Sequence, residues 1–90
     1  MPNLWDMPID QALKLKWEVG REKYRINEEE PFAGDPLKEA HNELLDLLNY
    51  LKVARQRHMV EDVEQLKAVM DDARVALVLV RRWIRVWEAM

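Results

Sequence analysis

The sequence has no cysteine and no serine, and only two glycines and four prolines. Without cysteine there are no disulfides and no thiolate metal ligands, which suits a cytoplasmic setting. Without serine, and with so little glycine, there is no Ser-His-Asp triad, no glycine-rich phosphate loop and no dinucleotide fingerprint. Long apolar runs are also missing. The most apolar stretch, Val75 to Val80, is followed at once by Arg81 and Arg82. It falls far short of the roughly 20 residues that a membrane span requires, so no membrane association is expected. No charged leader followed by an apolar core opens the chain, so a secretory signal is not expected either. Basic residues are in the minority: Lys+Arg 14 against Asp+Glu 17 gives a net charge of -3, which offers nucleic acid no general attraction.

What little glycine and proline there is lies early, with nothing of either kind after Pro36. A 90-residue chain is expected to form a single domain over residues 1–90. The late absence of helix breakers makes that domain all-α, a helical bundle of about three helices. The first helix is predicted from near Pro8 to about Arg25, with an apolar stripe of Ile9, Ala12, Leu13, Trp17 and Tyr24, and Gly20 on the same face. Asn27 to Asp35 (NEEEPFAGD) has no periodicity and reads as a loop. Asp35-Pro36 supplies an N-cap followed by a first-turn proline, so a second helix is predicted from there to about Arg57. A break is placed near His58 to Val60, where neither glycine nor proline marks it, and a third helix at Glu61 to about Glu88. The apolar side of the second helix comprises Leu37, Ala40, Leu44, Leu47, Leu48, Leu51 and Ala54.

The third helix has two apolar faces, a broad one containing Val69, Met70, Ala73, Ala76, Leu77, Val80, Trp83, Ile84 and Trp87, and a second of Val75, Leu79 and Val86. One chain has too few helices to cover both, and four tryptophans are hard to bury in so short a chain. The bundle is therefore expected to be completed by oligomerisation, as a homodimer or a higher homo-oligomer.

Among the leucines of the second helix stand Glu39, Glu43 and Asp46, spaced four and then three residues apart. At about 100° per residue they share an arc of about 60°. Three carboxylates at a core boundary repel one another and lose hydration, and a hard divalent cation is their natural compensator. The competing reading is a solvated acidic stripe. Against it, the residue four after Glu39 is another glutamate and the one four after Glu43 is Leu47, so neither has a basic partner at helical spacing.

With those residues in view, the chain resembles the MazG-like all-α nucleoside triphosphate pyrophosphohydrolases, in particular short phage-type members. Glu43-Leu44-Leu45-Asp46 matches the ExxD motif of that family, and ELLDLLNYL (Glu43 to Leu51) looks like the consensus around it. WEVGREKY (Trp17 to Tyr24) and FAGDPLKEA (Phe32 to Ala40) are also similar to short phage-type relatives, so the likeness spans roughly residues 8 to 57. The resemblance implies Mg²⁺ (or Mn²⁺) and hydrolysis of a (d)NTP between the α- and β-phosphates, giving (d)NMP and pyrophosphate. By the same resemblance, Glu43 and Asp46 take the ExxD positions, with Glu39 as a further catalytic carboxylate and metal ligand. The ExxE half is not matched, because Glu18 and Glu22 on the first helix are four apart instead of three; they are the candidate remaining ligands. Asn42 stands where relatives often carry another glutamate. Lys23, with Arg21 and Arg25, is the candidate phosphate contact, Asn49 a hydrogen-bonding residue for base or sugar, and Tyr50 a stacking surface. A phage-encoded member would act in the host cytoplasm.

Other features carry less. His41 and His58 belong to no cluster of ligand residues, and Glu61 and Glu64 form an ExxE only where acids are favoured by the start of the third helix. Arg81, Arg82 and Arg85 beside Trp83 and Trp87 read as packing aromatics among solvated arginines, so nucleic acid is not an expected partner. The sequence thus points first to a nucleotide pyrophosphohydrolase. The alternative is a non-catalytic helical interaction module, such as a phage factor with a degenerate metal site.

Overall fold

The computed structural model describes the backbone of residues 3–24 and 34–90, and the side chains of residues 3–20 and 34–90. Every regular element among them is helical: a short 3-10 turn at Leu4–Asp6, then α1 (Ile9–Tyr24), α2 (Pro36–Gln56) and α3 (Val63–Ala89). The protein is therefore all-α, with three α-helices in the described residues. They belong to two compact units, Met1–Gly34 and Asp35–Met90.

In the N-terminal unit, the 3-10 turn closes through Asp6 N–H on the Asn3 carbonyl at 3.1 Å and Met7 N–H on the Leu4 carbonyl at 3.2 Å. The first α1 bond follows, Ala12 N–H donating to the Pro8 carbonyl at 3.0 Å, so the helix begins where Pro8 placed it. Ile9, Leu13 and Trp17, on the expected stripe, are exposed. A Cβ built on Gly20 meets no described atom within 4 Å. The side chains of Arg21 to Tyr24, and the predicted loop Asn27 to Asp35 up to its residue 33, lie outside the described residues.

The second unit is a helical hairpin whose ends are set by local chemistry. Asp35 sits in extended conformation, and its Oδ1 accepts from Leu37 N–H at 3.1 Å and Lys38 N–H at 3.2 Å, with Pro36 in the first turn as expected. The other end of α2 stops without glycine or proline. His58 adopts a left-handed φ of 56°, its N–H donates to the Arg55 carbonyl at 3.1 Å, and Met59 N–H reaches back to the Ala54 carbonyl at 3.0 Å. Those two bonds form a Schellman cap with histidine in the position that glycine usually takes. The break thus falls where expected, but α3 starts at Val63 instead of Glu61. Asp62 is the reason: its Oδ1 accepts from Gln65 N–H at 3.0 Å, making it the N-cap and leaving Glu61 outside the helix.

Lys38 near the start of α2 pairs with Glu88 near the end of α3 at 3.1 Å, which fixes the two helices as antiparallel. They meet along a seam with heptad spacing. On α2 the half-buried residues are Leu37, His41, Leu44, Leu48 and Leu51, with Ala54 at its end; on α3 the seam is Leu66, Met70, Ala73, Leu77, Val80 and Ile84. Alternating steps of four and three keep one edge of each helix toward the other over several turns. The buried residues Leu66, Ala73, Leu77 and Val80 all lie on α3, and α2 buries none completely.

Each helix also carries a second stripe of the same spacing. On α2 it comprises Ala40, Glu43, Leu47, Tyr50 and Ala54, and on α3 Val69, Asp72, Ala76, Leu79, Trp83 and Val86. Val69, Ala76 and Trp83 were expected on one face with Leu77; in the structure they side with Leu79 and Val86. Because Lys38 and Glu88 join the opposite flanks of the seam, the two second stripes lie together on one side of the hairpin. Only Ala54 and Ala76 of that side are even half-buried.

Candidate functional site

Glu39, Glu43 and Asp46 project from consecutive turns of α2, and all three are exposed. Glu39 and Asp46 lie on the side of α2 opposite its seam, and Glu43 lies within the second stripe. The crowding against an apolar boundary expected from the sequence does not arise inside one hairpin, because α3 covers the Leu37-to-Leu51 edge and leaves the acidic edge to solvent. Tyr50 follows Glu43 by one heptad on the second stripe and is 74% exposed. Asn49 is exposed beside it. One helix therefore presents three carboxylates, an amide and a phenol ring to the same medium.

The described residues supply these acids with no counter-ion. Among the described residues, Asp35 and Glu88 pair with Lys38, Glu64 with Lys67, and Asp71 with Arg74, while Glu39, Glu43 and Asp46 take part in no ion pair. Nor do the described residues contain a group of three or more His, Asp and Glu side chains close enough to hold a metal ion. As oxygen donors the three acids do suit a hard cation of the kind held by one or two carboxylates while its remaining positions go to water and phosphate oxygens. They do not form a closed cage.

Of the other expected site residues, Glu18 is exposed on α1 in the N-terminal unit. The side chains of Glu22 and Lys23, like those of Arg21 and Arg25, lie outside the described residues. Glu64 stands in the first turn of α3, pairing with Lys67 at 3.9 Å. In the N-terminal unit, Leu4, Trp5, Ile9 and Leu13 line an open apolar groove of about 300 Å³, with Lys16 at its margin.

His41 has a role that its isolation in the sequence hid. It occupies a seam position, half-buried, and Arg81 Nε donates to its Nε2 at 2.9 Å. A guanidinium can only donate, so Nε2 carries no proton, and Nδ1–H is left to donate to Asn42 Oδ1 at 3.2 Å. His41 is thereby a polar link between the helices. The signal for it was the spacing Leu37, His41, Leu44, Leu48, Leu51, in which histidine falls on a seam position. No helix among the described residues is long and apolar enough to cross a membrane. Comparison with family models, curated proteins and solved structures finds no match.

Proposed function

We propose that the protein is a Mg²⁺-dependent nucleotide pyrophosphohydrolase that works as a homo-oligomer, with its acidic site on α2. The observation that carries this reading is the row Glu39, Glu43 and Asp46: three exposed carboxylates within two turns, without ion-pair partners among the described residues. The resemblance of ELLDLLNYL to the MazG-like motif gives that row its chemical direction. A bound Mg²⁺ or Mn²⁺ would supply charge neutralisation on the phosphoryl oxygens and a more acidic attacking water.

The remaining work falls to this chain's own side chains. Glu43 and Asp46 would hold the cation, and Glu39 would orient or deprotonate the water that attacks the nucleotide. Water adds at phosphorus as the α–β bridging bond breaks, and (d)NMP and pyrophosphate leave. Tyr50, open to solvent, stacks on the base, and Asn49 hydrogen-bonds base or sugar. Such a reaction depends on positioning and charge stabilisation, so it requires no serine, cysteine or histidine nucleophile.

Pyrophosphate release from a panel of (d)NTPs with Mg²⁺ tests the proposal. Turnover should be abolished by chelation and lowered about 100-fold or more by Asp46→Ala. If no nucleotide is turned over, the enzymatic reading fails; if Asp46→Ala turns over normally, the site lies elsewhere. The open heptad stripe on the hairpin favours a second reading, a non-catalytic helical interaction module. Stable self-association in a chain that hydrolyses no nucleotide would select it.

A further inference from the structure

The hairpin sorts its charges by side. On the flank of the seam where Lys38 meets Glu88, α2 also carries Lys52, and α3 carries Lys67, Arg74 and Arg81 at seven-residue steps, with Arg85 one turn after Arg81. Beside the α2 cations run the amides Asn42, Asn49 and Gln56 at the same step, and all of these side chains are exposed. The acids Glu39, Glu43 and Asp46 lie on other sides of α2, so the six cations share their flank only with Glu88 and, at its edge, Asp71. The whole-chain charge of -3, which speaks against nucleic acid, conceals this local excess. Lys38 pairs with Glu88, Lys67 with Glu64 and Arg74 with Asp71, whereas Lys52, Arg81 and Arg85 pair with no acid among the described residues. Arg81 is also held in place: its Nε donates to His41 Nε2 at 2.9 Å, which leaves Nη1 and Nη2 for an outside acceptor. A guanidinium anchored in this way offers a fork matched to phosphate oxygens.

We infer that this flank binds the phosphate backbone of duplex nucleic acid. Lys38 and Lys52 stand about 21 Å apart along α2 at 1.5 Å per residue, the length of about six base pairs. Cations spread over such a length match a repeating row of phosphates, not one compact anion. The amides between them are the side chains that hydrogen-bond phosphate and sugar oxygens. A duplex fits better than a single strand, which is held largely by bases stacked on aromatic rings. Tyr50, Trp83 and Trp87 all lie on other sides of their helices, so the flank has no ring to stack on. It also fits better than an anionic membrane surface, which takes up an apolar fringe; the flank offers only Leu45 and Val78. With contacts to the backbone alone, binding is independent of base sequence, and the backbone is common to DNA and RNA duplexes. The flank lies on the other side of the hairpin from Glu43 and Tyr50, so the inference does not rest on the catalytic reading.

Fluorescence anisotropy of labelled DNA and RNA duplexes of about 20 base pairs, titrated with the full chain, tests it. Binding to one or both should show a Kd of about 10 μM or tighter at about 50 mM salt, and the plot of log K against log salt should fall with a slope of about -3. Lys52→Glu with Arg85→Glu should weaken binding about 100-fold or more and flatten that slope by about 2. Neither side chain makes an ion pair among the described residues, and the His41–Arg81 link is kept, so the hairpin stays folded in this variant. Arg57→Glu, at the end of α2 and off the flank, should change affinity less than about 3-fold. No binding of either duplex at about millimolar chain overturns the inference, as does equal loss in Arg57→Glu. Tighter binding of a single strand than of its duplex overturns it too. So does capture by phosphatidylserine vesicles without binding of duplex, which would make the flank a lipid-binding surface.

Discussion

Leu13 of α1 and Leu77 of α3 stand on amphipathic stripes of similar character, yet Leu13 is 63% exposed and Leu77 only 7%. The difference lies in what surrounds each helix. In the hairpin, the chain reverses through residues 57–62 and delivers α2 to α3 with their heptad edges in register. Among the described residues of the N-terminal unit, α1 meets only the 3-10 turn at Leu4–Asp6. An apolar stripe states that a helix needs a partner, and chain connection decides which stripe finds one locally. The same holds within the hairpin, where the seam is closed and the parallel stripe through Leu47 and Leu79 is not.

The most direct way to break this comparison is to make the same substitution in both units. Leu77→Ala removes a buried side chain from the centre of the seam and should cost about 3 kcal/mol, transfer and cavity terms together. Leu13→Ala, from an exposed position, should cost well under about 1 kcal/mol. Urea unfolding followed by far-UV circular dichroism measures both. Equal losses would mean that Leu13 is buried in solution by something that the N-terminal unit alone does not provide.

The hairpin was legible in the sequence where its signals are local. Asp35-Pro36 announced α2 because a capping carboxylate and a first-turn proline act within one turn. The end of α2 was placed only by inference, since the residue that takes the left-handed conformation is His58, not glycine. The start of α3 was placed two residues early because Glu61 and Asp62 look alike as first-turn acids, although Asp62 with Gln65 three residues on has the spacing of a cap. The two faces of α3 were harder to read. Val69 and Met70 are adjacent apolar residues, and only the partner's position assigns one to the seam and the other to the open stripe. For the candidate site, the row Glu39, Glu43, Asp46 was legible as a row. Its exposure was not, because that depends on which edge of α2 is covered by α3.

The left-handed residue at the hairpin turn offers a smaller and opposite effect. A side chain at φ 56° crowds its own carbonyl, and glycine does not, so His58→Gly should stabilise the hairpin by about 1 kcal/mol. Part of that gain is offset because glycine is also freer in the unfolded chain. A rise in the urea midpoint with unchanged slope would locate the effect in the turn. No rise would mean that the His58 side chain stabilises the cap by more than its backbone strain costs.

The smallest effect is expected at the ion pair between the start of α2 and the end of α3. Lys38 and Glu88 are 3.1 Å apart, but their side chains are 55% and 57% exposed, so water and salt screen the attraction. Coupling between Lys38→Ala and Glu88→Ala in a double-mutant cycle should be about 0.5 kcal/mol or less at low salt and vanish at high salt. Lys38 also lies 3.9 Å from Asp35, so the cycle is needed to separate the two partners. Near-zero coupling would leave the apolar seam as what holds α2 to α3. Coupling well above about 1 kcal/mol would show the polar flank sharing that task, with the ends of α2 and α3 held by charge as well as by the seam.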